Sequence, residues 1–122
     1  MKTVKVLVVD DKYLIRWAIT RVLSDAGYEV SSADDGLEAL ETATMGSFDF
    51  VITDLDMPGL DGWDLLDRLL NLQNPPRVIV TSAQADDDNV MKVRERGGWA
   101  YVEKSSTLMD GIKETLKAAC GG

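Results

Sequence analysis

Residues 4–11 decide the fold: they are Val-Lys-Val-Leu-Val-Val-Asp-Asp, a short apolar run that ends in two adjacent carboxylates. A run of this length and composition is typical of a strand that is buried on both faces of a sheet. After it, Ile15, Ile19 and Leu23 recur at helical spacing until Gly27, a residue suited to ending a helix. A buried strand followed by an amphipathic helix predicts the first βα unit of a parallel sheet.

The rest of the chain repeats this alternation. Further strands are expected at residues 28–32, 48–53, 78–81 and 99–102, and further helices at about 37–43, 65–70, 88–96 and 108–119. Asp-Gly, Met-Pro-Gly and Pro-Pro segments separate these elements and are typical of turns. Because parallel crossovers are right-handed, the pattern predicts an α/β fold. Its doubly wound five-stranded parallel sheet has the order 2-1-3-4-5, with five helices over both faces.

Length and composition are those of one globular domain. The chain has 122 residues, of which 45% are apolar and 28% are charged, with no internal repeat. These proportions are ordinary for a folded protein and unlike those of a disordered one. We therefore expect a single domain over residues 1–122, structured over about 3–119, with residues 120–122 as a tail.

Charge, histidine and cysteine content exclude several functions. The net charge is 13 − 21 = −8, which argues against direct nucleic-acid binding because phosphate neutralisation needs clustered cations. The chain has no His, so His-based catalytic triads and zinc sites are excluded. No apolar run approaches the roughly 18 residues of a membrane span. The single Cys120 cannot form an internal disulfide, so the cytoplasm is the expected compartment.

Polar side chains stand at the carboxyl end of four predicted strands. They are Asp10 and Asp11 after strand 1, Asp54 after strand 3, Ser82 after strand 4 and Lys104 after strand 5. The carboxyl ends of parallel strands share one edge of the sheet, where open α/β folds bind ligands. Strands 1 and 3 are neighbours in the expected order, so three carboxylates should converge there.

Three converging carboxylates repel one another unless a cation lies between them. Mg²⁺ binds oxygen ligands and typically combines one or two carboxylates with phosphate oxygens and water. A carboxylate beside the metal can attack phosphorus and form an aspartyl phosphate. The cation and Lys104 would neutralise charge, and the Ser82 hydroxyl would donate a hydrogen bond to a phosphoryl oxygen. The pattern predicts a Mg²⁺-dependent phosphoryl-transfer site.

The order of these motifs resembles a response-regulator receiver domain over essentially the whole chain. The resemblance rests on Asp10-Asp11 after Val-Leu-Val-Val, Asp54 in Val-Ile-Thr-Asp-Leu-Asp-Met-Pro-Gly-Leu-Asp-Gly, Ser82-Ala83 after Val-Ile-Val-Thr, and Tyr-Val-Glu-Lys at 101–104. Each motif alone is weak. Their succession in this order, each at the end of a predicted strand, is specific.

The resemblance implies roles for the acidic residues. Asp54 would accept a phosphoryl group from a sensor histidine kinase or a phosphotransfer protein. Asp11 and Asp54 would bind Mg²⁺ directly, with the backbone carbonyl of Asp56 as a third ligand, and Asp10 would act largely through water. The chain would then not be an enzyme in the usual sense, because the group it modifies is its own.

The resemblance also implies a switch. Ser82 would move to contact the phosphoryl group, and Tyr101 would turn inward with it. The face made by the fourth helix, the fifth strand and the fifth helix would then be remodelled for an output domain or a downstream protein. Receiver domains often form homodimers through this face, a point that the residues here leave open.

Three features depart from the usual receiver pattern. Ser105 follows Lys104 where the family usually has a proline, so this peptide is either trans with a rearranged loop or cis and strained. Gly97-Gly98 replaces a more usual Gly-Ala and is expected to loosen that turn. Asp56 and Gln84 occupy positions that, in the family, tune the lifetime of the phosphoryl group.

Two alternatives belong to other classes of protein. Thr53-Asp54-Leu55-Asp56 also matches the Asp-x-Asp motif of haloacid-dehalogenase-like phosphatases, but that motif normally follows the first strand. A receiver-like interaction module that no longer takes phosphate is the other, kept open by the Lys104-Ser105 departure. The sequence leaves open whether the chain is a stand-alone receiver or one that belongs to a longer regulator.

Overall fold

Strands and helices alternate along the part of the chain that the computed structural model describes, residues 3–83 and 86–120. The elements are β1 (Lys5–Val9), α1 (Tyr13–Asp25), β2 (Glu29–Ala33), α2 (Gly36–Met45), β3 (Phe50–Asp54), α3 (Gly62–Leu70), β4 (Arg77–Ser82), α4 (Asp87–Glu95), β5 (Ala100–Glu103) and α5 (Leu108–Ala119). Within these residues, no helix combines the length and the apolar character that crossing a bilayer requires. Cys120, expected in a tail, is the C-cap of α5.

The five strands form one parallel sheet in the order β2-β1-β3-β4-β5, which confirms the predicted fold class and topology. The strand bounds differ from the predicted ones by one or two residues. The largest shift is in β3, which begins at Phe50; the side chain of the preceding Asp49 accepts a hydrogen bond from the Lys5 amide at 2.8 Å. β3 then extends through Asp54, so the last residue of this strand belongs to the candidate site.

The sheet is covered on both faces, because successive strand residues point to opposite sides. One core cluster packs beneath α2, α3 and α4 and includes Leu7, Val9, Ala39, Leu65, Leu69 and Val93. The other packs beneath α1 and α5 and includes Val6, Val8, Ile19, Leu23, Ile112 and Leu116. The apolar stripe predicted for the first helix, Ile15, Ile19 and Leu23, therefore packs on the sheet, whereas Leu37, predicted to begin the apolar face of the second helix, is 60% exposed.

Aspartates begin three of the helices. Asp35 and Asp61 accept hydrogen bonds from the backbone amide three residues further on, at 2.8 and 3.0 Å. Asp86 accepts from the amide two residues further on, at 2.9 Å. Such caps satisfy amides that have no partner inside the helix.

Two of the departures from the receiver pattern are resolved by the backbone. There is no cis peptide among the described residues, so Lys104-Ser105 is trans. The Gly97-Gly98 turn is tight rather than loosened, because the Gly98 amide donates to the Val93 carbonyl at 2.8 Å. A β-carbon on Gly98 would lie 2.4 Å from Val93 Cγ1, so Val93 occupies the space that an alanine would need.

A close backbone approach fixes the start of α3 against the end of β3. A β-carbon on Gly62 would lie 2.3 Å from the Asp54 carbonyl oxygen and 2.5 Å from Leu55 Cα. The Gly62 amide donates to the Leu55 carbonyl at 3.0 Å, which holds the two segments together. Only glycine permits this approach, so Gly62 sets the path of the loop that follows Asp54.

We expect Gly62→Ala to lower the free energy of unfolding by about 2 kcal/mol, because backbone atoms must shift to admit the methyl group. Chemical denaturation at unchanged m-value measures the difference. The control is Gly111→Ala, whose β-carbon would meet only Val102 Cγ1, at 2.9 Å, and whose helix gains up to about 1 kcal/mol from alanine. Equal midpoints for the two variants would contradict the steric argument.

Candidate functional site

The structure brings together the polar residues that the sequence places at the strand ends. Asp10 directly follows β1, Asp54 and Ser82 are the last residues of β3 and β4, and Lys104 directly follows β5. Asp10 is 1% exposed and Asp54 is 2% exposed. Burial of two carboxylates at one sheet edge is costly unless charged or polar partners surround them.

Lys104 is the cationic partner of both buried carboxylates. Its Nζ lies 2.7 Å from Asp10 Oδ2 and 2.9 Å from Asp54 Oδ2, and its side chain is 11% exposed. Burial lowers the pKa of Lys104, but the hydrogen bonds and negative charges of Asp10 and Asp54 outweigh it and hold this pKa above its ordinary value. The Lys104 amide donates to the Ser82 carbonyl at 2.7 Å, so the trans Lys104-Ser105 peptide still presents the ammonium group to the site.

The acidic residues form a donor set of the kind that Mg²⁺ prefers. Carboxylate oxygens of Asp10, Asp11 and Asp54 all lie within 4.8 Å of one another. Asp10 Oδ1 accepts from the Lys12 amide at 2.9 Å and its Oδ2 accepts from Lys104, whereas Asp11 is 31% exposed beside the Lys12 ammonium at 3.8 Å. Three carboxylates beside the Lys104 and Lys12 ammonium groups leave a formal charge of −3 + 2 = −1, and a net negative set of hard oxygen donors fits a divalent cation.

Asp54 is held through both of its carboxylate oxygens. Oδ2 accepts from Lys104, and Oδ1 accepts from the Asp56 amide at 3.3 Å. The Asp56 side chain is exposed, and the next amide along from Asp54, that of Leu55, donates to the Thr81 carbonyl at 3.1 Å. The phosphoacceptor candidate is thus fixed in orientation before any ligand arrives.

The two candidate switch residues lie on neighbouring strands. Ser82 is 4% exposed at the end of β4. Tyr101 lies on β5 and is partly buried, with its ring packed against the core cluster that contains Val93. Their switching roles stay predictions, and Gln84 lies outside the described residues.

The sequence reading missed the role of Arg16. Its Nη1 donates to the Asp10 carbonyl at 2.7 Å, its Nη2 lies 3.0 Å from Asp34 Oδ1, and its side chain is 13% exposed. A signal was present, since Arg16 stands three and seven residues before Ile19 and Leu23 and so falls on the apolar stripe of α1. A cation on a buried stripe needs partners there.

Comparison with known proteins identifies the class. The model of the response regulator receiver domain family matches residues 6–116, and the chain belongs to this family. Sporulation initiation phosphotransferase F of Bacillus subtilis is 32% identical over 117 residues, covering 96% of this chain and 94% of that protein. Chemotaxis protein CheY of Pseudomonas aeruginosa is 37% identical over 120 residues, covering 93% of each.

One solved structure of similar fold contains Mg(2+)-BeF as a ligand. Response regulator protein TrrA of Thermotoga maritima, in complex with Mg(2+)-BeF, is 30% identical and superposes with a TM-score of 0.85, covering 95% of this chain and 98% of that one. The chain is therefore a receiver domain of two-component response regulators, a family whose function is phosphorylation on aspartate. Receiver domains bind Mg²⁺ at an acidic pocket and interact with histidine kinases or phosphotransfer proteins and with downstream effectors.

We expect Lys104→Met to lower the free energy of unfolding by about 3 kcal/mol without added metal, because two buried carboxylates lose their cation. The matched control is Lys12→Met, which removes an ammonium group that is 59% exposed beside the same acidic cluster. That change should cost less than about 0.5 kcal/mol. Chemical denaturation in metal-free buffer measures both, and similar losses would contradict the assignment of Lys104 as the internal counter-ion.

Proposed function

We propose that Asp54 is the phosphoacceptor and that residues 1–122 act as one signalling domain in the cytoplasm. The observation that carries the proposal is the buried Asp54 carboxylate, which shares the Lys104 ammonium with Asp10 and lies within the three-carboxylate cluster. An Asp54 oxygen attacks the phosphorus of a phosphohistidine on a histidine kinase or a phosphotransfer protein. The P–N bond breaks with its electron pair going to the imidazole, and an acyl phosphate forms on Asp54.

Loss of the phosphoryl group from Asp54 also proceeds by attack of an oxygen atom on phosphorus. A water oxygen attacks phosphorus, the bond between phosphorus and Asp54 breaks, and inorganic phosphate leaves while the carboxylate is regenerated. The exposed Asp56 side chain, two residues from Asp54, stands beside the path of that water. Because the modified group belongs to the chain itself, we propose that it turns over no external phosphomonoester.

The acidic residues divide the metal-binding work. We assign Asp11 and Asp54 as direct ligands and Asp10 as a ligand acting through water, because both Asp10 oxygens accept short hydrogen bonds, at 2.9 and 2.7 Å, whereas Asp54 Oδ1 accepts only a long one, at 3.3 Å. The Asp56 backbone carbonyl is the third direct ligand. Bound Mg²⁺ supplies positive charge to the oxygens of the transferring phosphoryl group. The 30% identical TrrA was solved in complex with Mg(2+)-BeF, which supports the proposal that this chain binds Mg²⁺.

Phosphorylation replaces the −1 charge of the Asp54 carboxylate with an acyl phosphate of roughly −2 charge, so the site becomes more negative by about one unit. The Lys104 ammonium, already within 2.9 Å of Asp54, neutralises part of that charge, and the Ser82 hydroxyl moves to donate to a phosphoryl oxygen. Tyr101 turns further inward beside Val93. The face of α4, β5 and α5 is thereby remodelled for an output domain, a downstream protein or a second copy of the chain.

Intact-protein mass spectrometry after incubation with acetyl phosphate tests the acceptor. We expect a gain of one phosphoryl group that requires Mg²⁺ and is absent in Asp54→Asn. The control Asp56→Asn removes a carboxylate two residues away and should still take up the group. Uptake by Asp54→Asn would overturn the assignment. No uptake by wild type, together with unchanged tryptophan fluorescence on adding Mg²⁺, would favour an interaction module that takes no phosphate.

Lys104→Ala tests the switch separately from the metal site. We expect this variant to retain Mg²⁺ binding, since the three carboxylates remain, but to lose the conformational response to phosphorylation. Amide NMR shifts of α4, β5 and α5 before and after acetyl phosphate measure that response. Lys12→Ala is the control and should respond as wild type does. Shift changes in Lys104→Ala that match those of wild type would refute the role.

A further inference from the structure

Arg16 joins three segments next to the acidic pair. Its planar guanidinium donates through Nη1 to the Asp10 carbonyl at 2.7 Å and pairs through Nη2 with Asp34 Oδ1 at 3.0 Å. Asp10 follows β1, Asp34 follows β2, and Arg16 itself lies in the first turns of α1. With a side chain only 13% exposed, Arg16 is part of the structure beneath the site rather than of its solvent-facing surface.

These contacts lead us to propose that Arg16 is a positioning residue for Mg²⁺ binding, acting through the Asp10-Asp11 peptide. The inference rests on the proposed metal site and adds a residue to it. Arg16 contacts neither carboxylate of the pair; what it holds is the carbonyl between them. Because a peptide unit is planar, a fixed Asp10 carbonyl also fixes the plane from which Asp11 projects.

Asp10 is held at every acceptor group it has. Its Oδ1 accepts from the Lys12 amide at 2.9 Å, its Oδ2 from Lys104 at 2.7 Å and its carbonyl from Arg16 at 2.7 Å. Asp11, by contrast, lies 3.8 Å from the Lys12 ammonium and is 31% exposed. The position of the more accessible Asp11 carboxylate therefore depends on the fixed backbone of Asp10. Fixing a ligand before the metal binds lowers the free-energy cost of binding.

The positive charge of Arg16 and its positioning role have opposite effects on Mg²⁺ affinity. A guanidinium near the site repels a divalent cation, so on electrostatic grounds alone its removal would tighten Mg²⁺ binding. Loss of positioning would weaken binding, by about 10-fold on the scale of other residues that orient metal ligands. The sign of the change in Mg²⁺ affinity thus separates the two effects.

The experiment is a Mg²⁺ titration of the full chain, followed by amide NMR shifts, on wild type, Arg16→Ala, Arg16→Lys and Asp34→Asn. We expect Arg16→Ala to raise the Kd for Mg²⁺ about 10-fold. Arg16→Lys should also raise it, because an ammonium keeps the charge but lacks the planar guanidinium fork that aims Nη1 at the Asp10 carbonyl. Asp34→Asn, which alters a carboxylate that is 69% exposed and leaves the Asp10 contact intact, should stay within about 2-fold of wild type.

The rate of uptake from acetyl phosphate gives a second readout. In Arg16→Ala we expect the Mg²⁺ concentration for half-maximal rate to rise in step with the Kd, while the rate at saturating Mg²⁺ approaches that of wild type. A purely structural role of Arg16 would instead lower the rate at saturating Mg²⁺ and leave the Kd unchanged, and that result would overturn the proposal. Mg²⁺ binding in Arg16→Ala as tight as in wild type would also overturn it. If Arg16→Ala does not fold, Arg16→Lys decides.

The wild-type titration keeps this inference distinct from the proposed function. Wild type that binds no Mg²⁺ would overturn the metal site itself, and Arg16 with it. Wild type that binds Mg²⁺ and takes up phosphate, beside an Arg16→Ala variant with unaltered affinity, would overturn only the positioning role.

Discussion

Two carboxylates buried at one sheet edge and sharing a single ammonium are the constraint on which the rest of this structure depends. Asp10 and Asp54 are 1% and 2% exposed, and Lys104 reaches both. With Asp11, and with the Lys104 and Lys12 ammonium groups counted, the cluster retains a formal charge of −3 + 2 = −1, which favours the binding of a further cation. Lys104 thus lets two carboxylates be buried, while the cluster as a whole keeps a net negative charge. That negative charge favours the binding of a metal cation.

The fold supplies what such a site needs. The strand order brings the ends of β1 and β3 together, and the apolar clusters on both faces of the sheet hold the two strands in register. Gly62 lets α3 start against the end of β3, so the loop after Asp54 turns back over the edge. The Lys12 and Asp56 amides then fix the buried carboxylates with hydrogen bonds that come from the backbone rather than from side chains.

Much of this was predictable from the sequence, because strand order and strand ends follow from hydrophobic periodicity and parallel topology. What could not be predicted depends on contacts between segments distant in sequence. Arg16 was read as part of a helix, and only the tertiary structure reveals the carbonyl it holds. Lys104 reaches the site beside a trans peptide to Ser105, and a methyl group of Val93 occupies the space that a side chain at Gly98 would need. Local propensity contains none of these.

Helix α4 buries few of its residues against the sheet, and this affects which substitutions the helix tolerates. Of the nine residues of this helix, all of which the structure describes, Val93 alone is buried. On the output face proposed for this chain, substitutions at the other positions would alter the surface that a partner contacts, with little effect on the core or on the acidic edge. Partner recognition and phosphoryl transfer would then depend on different residues. Mutations in α4 would change which partner binds without changing the phosphoryl-transfer reaction.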